Sequence, residues 1–277
     1  PYPEALEMWP AVVGLIGFFW AELLWPGGSV PLNLALAITL YGLVTWIGMV
    51  LYGRETWLQN GDPFSVMFGV FARFAPLEVR VKSRASEWHC RGHLCRYQSG
   101  DCVNGYLCVS HARIDQIEWN LRPPAVGLLQ DRRVPVSMMV FVLVLLASVT
   151  FDGFLETPIW IQILDRTLGD EIFLVGNVAL VLFPMFFCLV YLLFCWLTLH
   201  SAALTGGHAN EWGVQGTVGV ACTFILTLVP IAIAYHLAHY LSFLLITGQY
   251  LVPLISDPLG LGWDLFGTAK YRVDIGL

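Results

Sequence analysis

The chain has 277 residues, of which 57% are hydrophobic and 12% charged, and its mean hydropathy is +0.69. Soluble domains carry roughly 25% charged residues, so this composition argues against a water-soluble fold and for an integral membrane protein. A formal charge of -6, a pI near 5.6 and the lack of a basic stripe exclude nucleic acid as the natural partner.

The sequence opens on Pro1 with neither an initiator Met nor a charged leader and stops at Leu277 without a closing element, which suggests a piece of a longer or processed protein. A spanning helix needs about 20 apolar residues. The first candidate runs from Trp9 to Trp25, interrupted only by Glu22 and ended by Pro26-Gly27-Gly28. The second, Leu32 to Tyr52, carries no charge, and the short connection makes the two an antiparallel hairpin. After Asp62-Pro63 comes FSVMFGVFARFAPLE, too short to span and therefore read as a re-entrant or interfacial helix, with Arg73 placed to snorkel. Residues 1–77 thus form one hairpin-plus-helix unit.

Residues 78–133 form a polar loop that holds His89, Cys90, His93, Cys95, Cys102, Cys108 and His111. Residues 134–277 return to apolar character. A third span, Val134 to Phe151, ends in Asp152-Gly153. FLETPIWIQILDRTLGDE then reads as an amphipathic surface segment, and Ile172 to Leu199 is a fourth span. The last apolar stretch, Val214 to Ile255, is about twice the length a bilayer needs at 1.5 Å rise per residue. A tilted helix kinked at Pro230 and a helix broken near Gly248-Gln249 or Pro253 both account for it. The fold class expected is an all-α polytopic bundle of about five spans with one cysteine/histidine-rich polar loop.

Eleven of the fourteen Lys and Arg lie between Arg54 and Arg133, with Arg54, Arg132 and Arg133 abutting spans. Arginines beside span ends mark the cytoplasmic side, so the 78–133 loop is expected inside. Glu22, Asp152 and Glu156 then fall in the outer layer. His236 and His239, three residues apart on one helix face, are expected at similar depth, with Asp257 just beyond. Ionisable groups at membrane depth are functional-site candidates by default. Two imidazoles and a carboxylate suffice for a divalent ion, zinc among them, and such an ion makes a nucleophile of bound water. His236, His239 and Asp152 are the candidate ligands, with Glu22 as a further one and Glu156 as general base. The bland alternative is that each is an interfacial group wetted by water.

Cys90, Cys95, Cys102 and Cys108 lack a CxxC spacing. In a reducing compartment they suit a structural zinc site; on the other side of the membrane they would form two disulfides; free thiols are the third reading. Cys188, Cys195 and Cys222 lie in spans and read as packing residues. No P-loop, GxSxG or Rossmann fingerprint is present.

The strings PYPEALEMWPAVVGLIGFFWAELLWP, GDPFSVMFGVFARFAPLE, VTFDGFLETPIW, VPIAIAYHLAHYLSFLLITGQ and SDPLGLGWDLFGTA cover most of the chain. On these the chain resembles the multi-pass bacterial membrane proteins that carry the name fenitrothion hydrolase. The resemblance implies hydrolysis of an organophosphorus ester at its P–O–aryl bond, in a bacterial inner membrane. Asp152, Glu22, His239 and Asp257 stand at positions belonging to the family pattern, while that of His236 varies. The partners expected are the lipid bilayer and a small-molecule substrate. A transporter or metal-handling protein, with a polar path through residues such as Thr39, Ser148 or Gln215, is the rival reading. A non-catalytic subunit of a membrane complex is the third.

Overall fold

Prolines open the helices. Pro31, Pro63 and Pro158 are first residues and Pro10 the second, positions where a missing N–H costs nothing and the fixed φ suits the first turn. The computed structural model describes residues 2–81, 96–98, 101–103, 109–110, 112–129, 134–167, 171–204 and 216–274. The described chain is mostly helical. Helices α1 (Trp9–Leu23), α2 (Pro31–Tyr52), α3 (Arg54–Asn60) and α4 (Pro63–Ala72) precede a small sheet. Helices α5 (Val136–Leu155), α6 (Pro158–Asp165), α7 (Glu171–Leu204), α8 (Gly216–Phe224), α9 (Val229–Thr247) and α10 (Leu251–Ser256) follow it. Among the described residues five stretches are long and apolar enough to cross a membrane: Glu4–Leu23, Pro31–Tyr52, Val136–Leu155, Glu171–Ala202 and Gly216–Ser256. The chain divides into two compact units, Pro1–Pro230 and Ile231–Leu277.

In the first unit α5 is the centre. Two-thirds of its apolar window (67%) is buried, against 6% for α2 and 11% for α7. One end of α5 is tied to the start of α1: the Met8 N–H donates to Ser137 Oγ at 3.2 Å, and that hydroxyl donates to Glu7 Oε2 at 2.8 Å. The other ends of both helices meet the beginning of α7. Trp20 Nε1 of α1 donates to Asn177 Oδ1 at 2.7 Å, and Phe151 and Phe154 of α5 pack their rings against Phe183. Thus α1 and α5 run parallel and α7 runs back against both. Tyr191 of α7 donates to the Ala221 carbonyl at 2.8 Å and so holds α8.

The polar stretch is not all loop. β1 (Leu77–Val81), β2 (Arg96–Gln98), β3 (Asp101–Val103) and β4 (Ile117–Leu121) make an antiparallel sheet in the order β2-β3-β1-β4. These short strands lie in and beside the stretch read as a polar loop, and the described chain is otherwise helical, compatible with the all-α expectation. Strands of three to five residues carrying Glu78, Arg80, Asp101 and Glu118 give no apolar alternation long enough to read. Leu77 pairs with Leu121 and Val81 with Ile117, and Val81 packs with Val109, Ala112 and Ile117.

The foot of this sheet is fastened by a buried ion pair. Arg122 Nη1 donates to Glu78 Oε2 at 2.9 Å, while its Nε and Nη2 donate to the carbonyls of Ala75 and Arg73. A Cβ on Gly127 would run into the Arg122 guanidinium and the Arg73 carbonyl, so only glycine fits there. Removing one partner of such a pair strands the other charge. Arg122→Ala is therefore expected to destabilise the first unit by about 3–5 kcal/mol, read as a lowered denaturant midpoint. Glu78→Gln with Arg122→Met together should cost less than the single change.

In the second unit α9 gives way to a 3-10 turn, Gly248–Tyr250, and then α10. The segment after it folds back on Ser256, whose Oγ accepts the N–H groups of Phe266 and Thr268 at 3.0 and 3.3 Å. Gln249 reaches the same segment, donating to the Asp274 carbonyl and accepting from Tyr271 and the Asp274 N–H. Another 3-10 turn, Ile225–Leu228, precedes Pro230. The long apolar stretch thus loses its α-helical ladder at two of the places where the sequence contains a breaker. At Pro230 the missing N–H and the ring remove an i→i−4 bond.

Candidate functional site

Helix α2 buries only two residues, Thr45 and Gly48, and both face the same neighbour. Gly53, at φ +88°, turns the chain back at the end of α2, and α3 descends beside it. The Trp57 indole lies flat over Gly48 and stacks on Tyr52, with ring centroids 5.9 Å apart. Any Cβ at Gly48 or Gly61 would collide with that indole, which explains glycine at both. Five residues on, Asp62 has reached the level of Thr45 and Tyr41. Tyr41 is ten residues from the first residue of α2 and eleven from its last, so about 15 Å from either end at 1.5 Å per residue. The tip of the α3–α4 hairpin therefore sits at mid-height of α2.

Asp62 is 3% exposed. Its Oδ1 accepts the Tyr41 hydroxyl and, at 3.4 Å, that of Thr45; its Oδ2 accepts the Ser65 N–H at 2.8 Å and caps α4. Pro63 lies against Gly14 of α1, and the Phe64 ring contacts Phe18 and Tyr41. The hairpin tip is thus closed in by the middle of both α1 and α2. The chain enters and leaves this excursion at one end of the unit: Tyr52 packs on Tyr2, and Ser137 meets Met8. The run FSVMFGVFARFAPLE, read as a re-entrant or interfacial helix, begins in α4, whose N-terminal tip is buried at the mid-height of α2.

Asp62 was not among the residues singled out by sequence, where it marked only the start of an apolar run. The signal available was local. An Asp before a proline that opens a helix is an N-cap, and Tyr41, Thr45 and Gly48 lie on one helix face.

Of the carboxylates that were singled out, three lie at one end of the first unit. Because α1 and α5 run parallel from the Met8–Ser137 contact, Glu22 in the last turn of α1 is level with Asp152 on α5. Asp152 is half-buried, and Glu156, one turn on, is exposed at the C-cap of α5. Their four-residue spacing puts both on one face of α5. A 100° step per residue sets that face well away from the one bearing Phe151 and Phe154, whose rings join Trp160 and Phe183. Between α6 and α7, Phe154, Trp160 and Phe183 line an open apolar groove of about 480 Å³ with Leu174, Val178 and Leu182.

His236 and His239 belong to the second unit, on α9. His236 is half-buried and its Nδ1–H donates to the Ala232 carbonyl at 2.7 Å. His239 stands edge-on to Tyr240 with centroids 4.9 Å apart. Asp257 is a turn cap there, accepting the N–H groups of Leu261 and Gly262. Cys90, Cys95 and Cys108, with His89, His93 and His111, lie outside the described residues. Cys102 is on β3, and its side chain lies outside them too. Among the described residues no group of three or more His, Cys, Asp or Glu could hold a metal ion. Cys188, Cys195 and Cys222 are free thiols, the last two buried. Of the residues proposed for a polar path, Thr39 and Ser148 donate to carbonyls of their own helices, Ala35 and Leu145, and Gln215 lies outside the described residues.

No protein-family model, curated protein or solved structure matches the chain.

The seat of Trp57 makes a sharp test of the hairpin. Gly48→Leu should expel the indole and reduce the free energy of unfolding by about 1–3 kcal/mol, the usual range for overpacking, read as a lowered denaturant midpoint. Gly42→Leu, where an added Cβ meets nothing within 4 Å, should be neutral in the same assay.

Proposed function

We propose that this chain is a multi-pass protein of a bacterial inner membrane that hydrolyses organophosphorus-type esters at the layer of Glu22, Asp152 and Glu156. The reading rests on the resemblance of five long sequence strings to proteins named for that activity. The observation that carries it furthest is the parallel run of α1 and α5, which brings Glu22 level with Asp152, one helical turn before Glu156. A bilayer setting is supported by five helices of spanning length and by the outward apolar surface of α2 and α7.

In this proposal Asp152 or Glu156 takes a proton from water as the water oxygen bonds to phosphorus. The P–O–aryl bond breaks, and the aryl oxide leaves and is protonated from the carboxyl group or from solvent. The groove of Phe154, Trp160 and Phe183 opens on another face of α5 than the one bearing Asp152 and Glu156, so it enters no step of the proposal. The described residues do not supply a three-ligand metal site, so no step is drawn through a metal. His236 and His239 enter no step for the same reason.

General-base catalysis is worth about 10²–10⁴ in rate. Purified protein in lipid should hydrolyse a p-nitrophenyl phosphotriester, and Asp152→Asn with Glu156→Gln should reduce turnover by about 10²-fold or more. Metal content measured on the same samples tests the zinc form of the proposal. Turnover no faster than buffer, or unchanged in the double variant, would sink the hydrolase reading. A second reading, a non-catalytic subunit of a membrane complex, is favoured by how little of α2 and α7 is buried within the chain. It predicts no turnover and cross-links from these two helices to another polypeptide.

A further inference from the structure

The last apolar stretch is longer than a bilayer needs, and its surplus lies beyond α9. Helix α9 alone has 19 residues, about 28 Å at 1.5 Å per residue, close to the thickness of the hydrocarbon core. After the 3-10 turn at Gly248–Tyr250 come α10 and then residues 257–268, a loop without helix or strand. The loop is nonetheless held at many points. Asp257 accepts the Leu261 and Gly262 N–H groups, and the Leu265 N–H donates to the Ser256 carbonyl at 3.2 Å. Asp264 accepts the Ser256 hydroxyl and the Ala269 N–H, and the Thr268 hydroxyl donates to the Val252 carbonyl at 2.9 Å. These bonds lay the loop back along α10.

While these polar groups meet one another, the large apolar side chains of the loop stand outside. Leu259, Leu261, Trp263, Leu265 and Phe266 are 43–68% exposed. A contiguous apolar patch on a fixed backbone marks a contact surface. Three observations name lipid as what covers it. The loop follows directly on a stretch of spanning length and folds back beside its end, so it lies where that stretch leaves the core. A tryptophan stands among the five, the residue that collects at headgroup level. Lys270 and Arg272, both exposed, follow at once and complement headgroup phosphates.

We propose that residues 257–268 form an interfacial loop that seats these five side chains at the boundary between headgroups and acyl chains. The bonds from Ser256, Asp257 and Asp264 fix its shape beforehand, so insertion has little backbone left to order. The inference rests on the membrane setting proposed above and not on ester hydrolysis.

The test places a photoreactive residue, p-benzoylphenylalanine, at one position at a time in the full chain in cell membranes. The positions are Leu261 and Phe266 in the loop and, as a control on a span, Leu36 of α2, which is 59% exposed. Illumination is followed by mass spectrometry of the adducts. Phospholipid adducts are expected at all three positions, and they should vanish when the purified chain is held in detergent free of phospholipid. Phospholipid on Leu36 with none on Leu261 or Phe266 would overturn the proposal. So would adducts from the loop to another polypeptide or to the first unit of this chain. No phospholipid at any of the three would remove the membrane setting as well. Turnover of the p-nitrophenyl phosphotriester, measured on the same samples, reads the hydrolase proposal separately.

Discussion

A carboxylate can sit at the middle of an apolar helix only if its oxygens are met, and the first half of this chain is arranged to meet those of Asp62. The Tyr41 and Thr45 hydroxyls project from α2, and the Ser65 N–H comes from the turn that Asp62 itself caps. Gly48 lets Trp57 lie close enough for α3 to carry Asp62 up to that level, and Gly14 lets Pro63 press on α1. Each contact constrains the others. Fill Gly48 and Trp57 moves; move Trp57 and Asp62 falls short of Tyr41. In hydrocarbon, non-helical backbone is tolerated only where protein covers it, and the tight turn at Gly61-Asp62 is covered by α1 and α2.

The second organising fact is unequal burial among helices of equal apolarity. The windows of α2, α5 and α7 have mean hydropathies of 2.1, 2.3 and 2.7, yet only α5 is largely enclosed. Between helices in lipid the hydrophobic effect does not choose a centre; packing and a few hydrogen bonds do. Here Ser137 pins α5 to α1, and the Phe151, Phe154, Phe183 and Phe187 rings pin it to α7. Trp20 and Asn177 close the triangle with a bond of the kind worth about 0.6 kcal/mol in such settings.

This is also why the sequence was readable in one respect and opaque in another. Span length and apolarity are local properties, so the five spanning stretches could be drawn from composition, and the long last stretch does lose its α-helical ladder at Pro230 and Gly248. Which span is central is not local: hydropathy ranks α7 highest, and contacts made by Ser137 and the phenylalanines decide otherwise. The sheet went unread because its strands are short and charged, and their pairing is fixed by partners some 40 residues away. Glu22, Asp152 and Glu156 were legible as rare acids in apolar runs. Asp62, flanked by Gly61 and Pro63, looked like an ordinary loop residue, because nothing nearby in sequence tells that the loop lies against Tyr41.

The two groups of acids obey different solvation rules, and that difference orders their meaning. Glu156 is exposed at a helix C-cap and Asp152 is half-buried one turn before it, at the end of the unit where interfacial water would reach them. An acid in contact with solvent keeps its hydration, so the fold need not meet its oxygens one by one. Asp62 is almost wholly buried, and its oxygens are met by two hydroxyls and by the Ser65 N–H in the first turn of the helix that it caps. An acid held this way belongs to the packing of the hairpin, because losing any one donor would leave a buried oxygen unmet, whereas Asp152 and Glu156 hold nothing together and are open to change.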